Sequence, residues 1–385
     1  MEFSFTDEQL MIRDTAQSFL SEVSTSSAIR NTMGTEHGFD DNVWQRLCTQ
    51  MGWQATHIPE EYGGFGLGYV ELVIMLEQMG QHLFCSPFFA TVCLGANALL
   101  VAGTEAQKQH YLPQICNGSL TATLAYTGSS GKWDAHSVDA VVLAKDNEYV
   151  LNGVYRYVPD GHTTDVLIVA ARNSDTSGQS GISLFVTDAN AKGVTREYLP
   201  TMDQTKKQAH IVFDNVVVNE HALMGEYANA WPLLDKILNL ATIATAAEQV
   251  GGSQQVLNMS VAYTKERVQF GRAIAGFQAV KHQAADMMLR TEVGRSAVYY
   301  AACVAQEFFD GGSLARELGE AASVAKSYCS DGYFKNAGDA IQLHGGVGFT
   351  WEYDVHLYFK RAKSSEMFLG NGAYHRERVA KMLLD

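Results

Sequence analysis

The chain has 385 residues, 46% of them hydrophobic, and its 28 basic and 42 acidic side chains give a formal net charge of −14. That length and apolar content predict two or three packed units. The negative excess excludes general attraction to nucleic acid or to an anionic membrane, so an anionic ligand must be met by a few local cations.

The opening "MEFSFTDEQLMIRDTAQSFL" has acidic residues where a signal peptide needs basic ones, and Thr6 with Gln9 forms a capping box that starts an amphipathic helix. It reads as structure, and the protein is expected in the cytoplasm. Cys48, Cys85, Cys93, Cys116, Cys303 and Cys329 show neither a CxxC pair nor metal-ligand spacing; they read as free thiols of a reducing compartment, with no metal. Apolar residues recur at helical spacing in "YVELVIMLEQMGQHL" and "GTEAQKQHYLPQI", with the glycine-rich loop "PEEYGGFGLG" between helices. The uncharged run from Cys85 to Gly103 is long enough to suggest a membrane span, but Pro87, Asn97 and many small residues predict a buried helix pair instead. Residues 1–120 are thus expected to form an α-helical domain.

From 121 the pattern changes to short runs rich in Val, Ile, Tyr and Phe: "DAVVLAKD", "EYVLNGVYRYV", "DVLIVAA", "GISLFVTD" and "AHIVFDNVVV". Turn residues separate them, which predicts an antiparallel β-barrel domain over 121–225. No proline follows Pro232, and four long helical patterns at about 230–265, 278–310, 313–341 and 353–384 predict a four-helix bundle over 226–385. The fold class is α+β, in the order α, β, α.

Three local patterns carry the functional reading. "RVQFGRAIAGFQAVKHQAAD" puts Arg267, Phe270 and Arg272 at a helix end, then Phe277 and Gln278 at a new helix start. "QLHGGVGFTWEYDVH" opens with Gln342 and supplies Gly345, Gly346 and Gly348, and "SEMFLGNGAY" supplies Leu369, Gly370 and Gly372. Alone, the arginines could be helix-end cations favoured by the dipole, and the glycines a helix C-cap and turn. Together with "PEEYGG" at 59–64 and "YLPQICNGSL" at 111–120, these patterns resemble the acyl-CoA dehydrogenase family along essentially the whole chain.

The resemblance implies an FAD flavoenzyme that desaturates an acyl-CoA thioester. A carboxylate takes the α proton, the flavin takes the β hydride, and an electron-transfer flavoprotein reoxidises the flavin. It gives the cofactor-contacting role to Arg267, Phe270, Phe277, Gln278, Gln342, Gly345, Gly346, Gly370 and Thr127, with the arginine meeting the pyrophosphate and the "GGVG" turn the adenosine side.

The family pattern is also broken. Where the family carries the Glu of Glu-Gly-Thr, its base, this chain has Leu369, and at the second position that some members use it has Ala241, followed by Thr242. No catalytic base is therefore assigned. Glu248, seven residues beyond Ala241, lies about 10 Å further along its helix; it reads as a structural carboxylate, Glu366 as water-facing, and His344 as part of the adenosine side. The family's "TEPxxGSD" loop reads "TGSSGKWD" from Thr127 to Asp134, placing Lys132 and Trp133 before the Asp, and its "WIT" strand reads Tyr157, Val158 and Pro159. Proline offers neither N–H nor hydroxyl to a flavin.

The chain thus keeps the elements that a family subunit lends to its neighbour's FAD and has lost those serving its own flavin ring. With "YVPDGHTTD" and "AAEQVGG", which resemble bacterial members acting on CoA thioesters of steroid side chains, this predicts a subunit of an α2β2 enzyme. A homologous subunit would carry the catalytic Glu. Alternatives are a self-sufficient flavin monooxygenase or oxidase on the same fold, and a non-catalytic acyl-CoA-binding protein.

Overall fold

A computed structural model describes residues 5–384. The predicted capping box is formed: the Gln9 N–H donates to Thr6 Oγ1 at 3.2 Å and the Thr6 N–H to Gln9 Oε1 at 3.1 Å. It opens α1 (Asp7–Val23), which is followed by α2 (Ser26–Met33), α3 (Asp41–Arg46), α4 (Tyr69–Gln81), α5 (Asn97–Ala102) and α6 (Glu105–Cys116). The expected buried helix pair between Cys85 and Gly103 is instead one continuous helical segment. It is wound as a π-helix over Phe89–Ala96 and passes into α5 without leaving helical backbone at Ala96 and Asn97. Asn97 does not break the segment, because its Nδ2 donates to the Cys93 carbonyl one turn back at 3.0 Å.

The central strands are β1 (Ala122–Ala125), β2 (Val141–Lys145), β3 (Glu148–Pro159), β4 (Val166–Arg172), β5 (Ile182–Asp188), β6 (Val194–Leu199), β7 (Gln208–Asn219) and β8 (Leu223–Met224). Pairing runs β6-β7-β3-β2-β4-β5-β8. Most ladders are antiparallel as expected, but β1 runs parallel to β4 from Ala122↔Val166 to Ala125↔Val169, so the sheet is mixed. All seven β4 positions and all four β1 positions are buried, the environment that parallel pairing requires.

The C-terminal helical bundle comprises α7 (Trp231–Glu266), α8 (Gln278–Asp310), α9 (Leu318–His344), α10 (Val355–Met367) and α11 (Gly372–Leu384), with a two-strand hairpin of β9 (Val268–Gln269) and β10 (Arg272–Ala273) between α7 and α8. The single fourth pattern expected over 353–384 is thus two helices. The backbone turns left-handed at Leu369 (φ 58°) and Gly370 (φ 106°), and the helix cannot continue through them.

The chain divides into two compact units, one of Met1–Asn31, Gly68–Phe84 and Thr242–Asp385, the other of Thr32–Leu67 and Cys85–Ala241. In the first, α4 crosses α7 at glycines: a Cβ on Gly251 would lie 1.8 Å from the Glu77 carbonyl oxygen, and one on Gly80 2.0 Å from that of Glu248. The glycines of "AAEQVGG" thus include one that close helix packing demands. Buried Glu77 accepts from Arg295 Nε at 2.9 Å and from the Tyr299 hydroxyl at 2.9 Å, which ties α4 to α8. In the second unit, Tyr155, Phe185, Phe213 and Ile211 fill the sheet core, and the buried Tyr155 hydroxyl donates to the Ala170 carbonyl at 3.0 Å. Among the described residues no helix is long and apolar enough to cross a membrane.

Candidate functional site

The turn between α10 and α11 holds Leu369, which is 5% exposed. A left-handed leucine costs roughly 1–2 kcal/mol, so surrounding contacts must fix it. His375 Nε2 donates to the Leu369 carbonyl at 2.9 Å, and Lys326 Nζ donates to the Gly370 carbonyl at 2.9 Å. His375 is fully buried and its Nδ1 lies 3.2 Å from Ser323 Oγ. Burial and the nearby Lys326 charge push its pKa down to about 3, so the ring is neutral. Gly370 has no room for a side chain, since a Cβ there would lie 2.4 Å from Tyr374 Cδ1; its glycine is explained by packing within the turn.

Among the described residues, the turn from Phe368 to Asn371 itself carries no carboxylate. Glu366 is held by Lys363 at 2.9 Å in a part-buried pair, which corrects the expectation of a water-facing side chain. Glu248 is 8% exposed on α7, and Ala241 and Thr242 are buried.

At the end of α7 the chain forms the β9–β10 hairpin, with Phe270 (φ 53°) and Gly271 (φ 79°) as its two left-handed turn residues. The Phe270 ring, 91% exposed, meets Phe277 edge-on at 6.2 Å between centroids, and the Arg272 guanidinium sits 4.0 Å above the Phe277 ring. Gln278 then begins α8, a 33-residue helix with no side-chain cap and no acidic residue in its first turn. Its free N–H groups and positive dipole end lie beside Arg267 and Arg272 in sequence, a donor set suited to a phosphate.

The Gln342–Gly346 segment ends α9 at the same end of the bundle. His344 stacks on Tyr263 at 4.4 Å, and Tyr263 stands in the last turn of α7, where its carbonyl accepts from the Arg267 N–H at 2.9 Å. The end of α9 thus meets the end of α7 through His344 and Tyr263, next to Arg267, while Phe270 and Arg272 of the hairpin meet Phe277 at the start of α8. A Cβ built on Gly345 or Gly346 would meet nothing within 4 Å; the left-handed φ of 62° explains the glycine at 345, while no neighbour in the fold accounts for the small size of Gly346. An open glycine turn beside uncapped helix donors and exposed arginines fits the adenosine and pyrophosphate end of FAD. Tyr263, which the sequence reading passed over, is the aromatic floor of this turn. Its signal was its place one helical turn before Arg267.

The loop from Thr127 to Asp134 belongs to the other unit and is closed on itself. The Gly128 N–H donates to the Ser137 carbonyl at 2.9 Å, the Ser129 N–H to Asp139 Oδ2 at 2.9 Å, and the Gly131 N–H to the Gly128 carbonyl at 3.2 Å. Thr127 is half-buried, and its carbonyl accepts from the Arg156 N–H at 2.9 Å. Next to that loop, β3 shifts register between Tyr155 and Val158, leaving Tyr157 left-handed (φ 58°) and 48% exposed. The Pro159 carbonyl accepts from Thr123 Oγ1 at 2.8 Å.

Family models match nearly the whole chain: the acyl-CoA dehydrogenase N-terminal domain over residues 6–119, the middle domain over 123–216 and the C-terminal domain over 231–384. The chain is 32% identical to acyl-CoA dehydrogenase IpdE2 of Mycobacterium tuberculosis, over 94% of this chain and 93% of that protein. It superposes on a chain of the Tcur3481-Tcur3483 steroid ACAD with a TM-score of 0.86 at 29% identity, over 98% of both. A chain in a structure of the electron transferring flavoprotein of Acidaminococcus fermentans gives a TM-score of 0.91 at 29% identity over 100% of both.

Proposed function

Because the chain belongs to the acyl-CoA dehydrogenase family, FAD-dependent oxidoreductases acting on acyl-CoA, we propose that it is the subunit without a base in a heteromeric member. It lends the adenosine-side contacts of Arg267, Phe270, Phe277, Gln278 and the Gln342–Gly346 turn to FAD whose flavin ring a homologous subunit holds. That partner carries the catalytic Glu.

The observation that carries this reading is Leu369. It is buried in a turn whose carbonyls are fixed by His375 and Lys326, and an aliphatic side chain cannot take the α proton of a thioester. Bound FAD supplies the hydride acceptor. This chain's own residues bind and orient the cofactor's phosphate and adenosine end through charged donors and backbone amides.

The fold likeness to a steroid ACAD supports a bulky, steroid-type acyl group. The likeness to a chain from an electron transferring flavoprotein structure supports reoxidation by such a protein. The proposed setting is the cytoplasm, and the proposed assembly is α2β2 with two flavins, because each FAD needs one ring-holding sheet and one adenosine-holding bundle.

Co-expression with a homologous chain that carries Glu-Gly-Thr, followed by native mass and flavin quantification, tests this. Two FAD per tetramer, with acyl-CoA oxidation only in the complex, is expected. Four FAD per tetramer, or a fully active homotetramer of this chain alone, overturns it.

A further inference from the structure

Lys326 lies in the middle of α9 with 0% exposure, within the otherwise uncharged run "AASVAKSYCS". Its Nζ donates to Ser330 Oγ at 2.9 Å, to the Ser365 carbonyl at 2.9 Å, to the Glu366 carbonyl at 3.1 Å and to the Gly370 carbonyl at 2.9 Å. None of these partners is a carboxylate. The nearby acidic groups are engaged elsewhere, Glu366 with Lys363 and Asp331 with Arg376. A buried ammonium without a counter-ion is costly unless dipoles replace its hydration, and the positions of the acceptors show which dipoles these are. Ser365 and Glu366 stand in the last turn of α10, where carbonyls have no partner within the helix and carry the negative end of its dipole. Gly370 lies beyond the break. One side chain thus spans the end of α10 and the left-handed turn that follows it.

We propose that Lys326 is a positioning residue: its Nζ caps α10 and clamps the Leu369–Gly370 turn, which sets where the side chain at position 369 is presented. This stands whether or not a partner subunit supplies the base. Two details support it. Gln249 of α7 donates to Ser330 Oγ at 3.1 Å and to Ser365 Oγ at 3.2 Å, so the clamp is itself braced from a third helix. The four oxygens around Nζ come from α9, from the last turn of α10 and from the turn beyond it, so one side chain links all three.

Lys326 is enclosed on all sides, so it is not a nucleophile. Burial draws its pKa from the ordinary lysine range to about 7, against the opposing influence of Cys329, Glu366 and Asp331. The groups facing it are Cys329 and Asp331 on α9, Glu366 on α10 and His375 on α11, with uncharged Gln249 on α7. Burial pushes the Cys329 thiol up to about 12, and His375 sits at about 3, so neither changes charge between pH 6 and 9.

Hydrogen–deuterium exchange of the full chain, followed in peptides covering 366–375 and normalised to intrinsic rates, tests the clamp. In the wild type, protection should be steady below about pH 6.5 and rise by up to tenfold per pH unit above about 7, because the opened turn releases Lys326 to water, where it keeps the proton that the closed site has lost. Lys326→Met should lose that protection at every pH while peptides of α8 keep theirs. Lys326→Arg, which keeps its charge throughout, should remove the pH dependence. Wild-type protection of these peptides in Lys326→Met overturns the proposal. So does a wild-type profile that is flat or falls from pH 6 to 9, a measurement that stands even if the methionine variant does not fold.

Discussion

His375 Nε2 donates to the carbonyl oxygen of Leu369, six residues earlier, at 2.9 Å, while its Nδ1 faces Ser323 Oγ at 3.2 Å. The ring uses both nitrogens as a neutral imidazole, one N–H given and one lone pair received. Leu369 is thereby held through its backbone by a side chain of the next helix.

This arrangement makes the protein sensitive to acid. His375 is held to about 3 and His57, buried beside Asn97, to about 4, whereas both titrate near 6.5 in an unfolded chain. Between those values the unfolded chain binds protons that the folded one refuses. Stability therefore falls as pH drops below about 6.5, by up to about 1.4 kcal/mol per pH unit for each group, and neither histidine contributes a slope above it. Urea unfolding of wild type and His375→Gln at pH 7, 6 and 5 checks this. The variant should lose stability at pH 7 and show a shallower fall on acidification; an equal fall in both excludes His375 as a source.

Much of this fold was legible in the sequence, for local reasons. Thr6 and Gln9 announced a helix start through their own side chains, and the long apolar stretches of α7, α8 and α9 were readable by their length, although α7 is buried on all sides from Ala241 to Val250. β1 and β6 were missed because neither alternates cleanly: β1 is buried at every position and β6 is an edge strand with Arg196 and Glu197 at its centre. The break at Leu369 was half-visible, since Gly370 and Gly372 suggested a turn while the helical period ran across it. At the site, the sequence pointed to Arg267, Phe270, Phe277, Gln278 and the Gln342–Gly346 turn, which do lie at one end of the bundle. It did not reveal Lys326 or His375, because a lone lysine or histidine on a helix ordinarily faces water and only packing shows these two enclosed.

Two glycine substitutions separate packing from ligand contact. Gly251→Ala puts a methyl 1.8 Å from the Glu77 carbonyl oxygen, so α4 and α7 must part, at about 1–3 kcal/mol. Gly346→Ala meets nothing within 4 Å and should stay within about 0.5 kcal/mol of wild type. If that turn receives the adenosine end of FAD, Gly346→Ala should weaken flavin binding by the assembled complex with no change in melting temperature. Unchanged flavin affinity removes this turn from the cofactor site.

Leu369→Glu is expected not to yield an active homomer. The new carboxylate would stand in a buried turn, and burial disfavours its charged form. The altered Thr127–Asp134 loop and Pro159 would still leave the flavin ring without its usual support, and catalysis falls steeply with small misplacement. Acyl-CoA oxidation by the purified single variant, followed by flavin bleaching, is the measurement. Robust turnover means that the ring support is intact despite Trp133 and Pro159.

Arg267 offers the most direct test of the borrowed cofactor contact. Its side chain is exposed, and its place in the fold is secured by the backbone alone: its N–H donates to the Tyr263 carbonyl at 2.9 Å and its carbonyl accepts from the Ile274 N–H at 2.8 Å. Arg267→Ala should therefore leave the melting temperature of this chain unchanged. A hydrogen bond from a charged donor to phosphate contributes roughly 1.5–3 kcal/mol, so FAD should dissociate from the complex roughly tenfold to 150-fold more readily. Arg272→Ala serves as the contrast: its guanidinium lies on the Phe277 ring, so its loss should loosen the hairpin as well as the cofactor. Titration of FAD into the flavin-stripped complex, with the substitution confined to this chain, reads the effect. Wild-type affinity in Arg267→Ala means that this bundle does not hold the partner's pyrophosphate, and the α2β2 reading loses its physical basis.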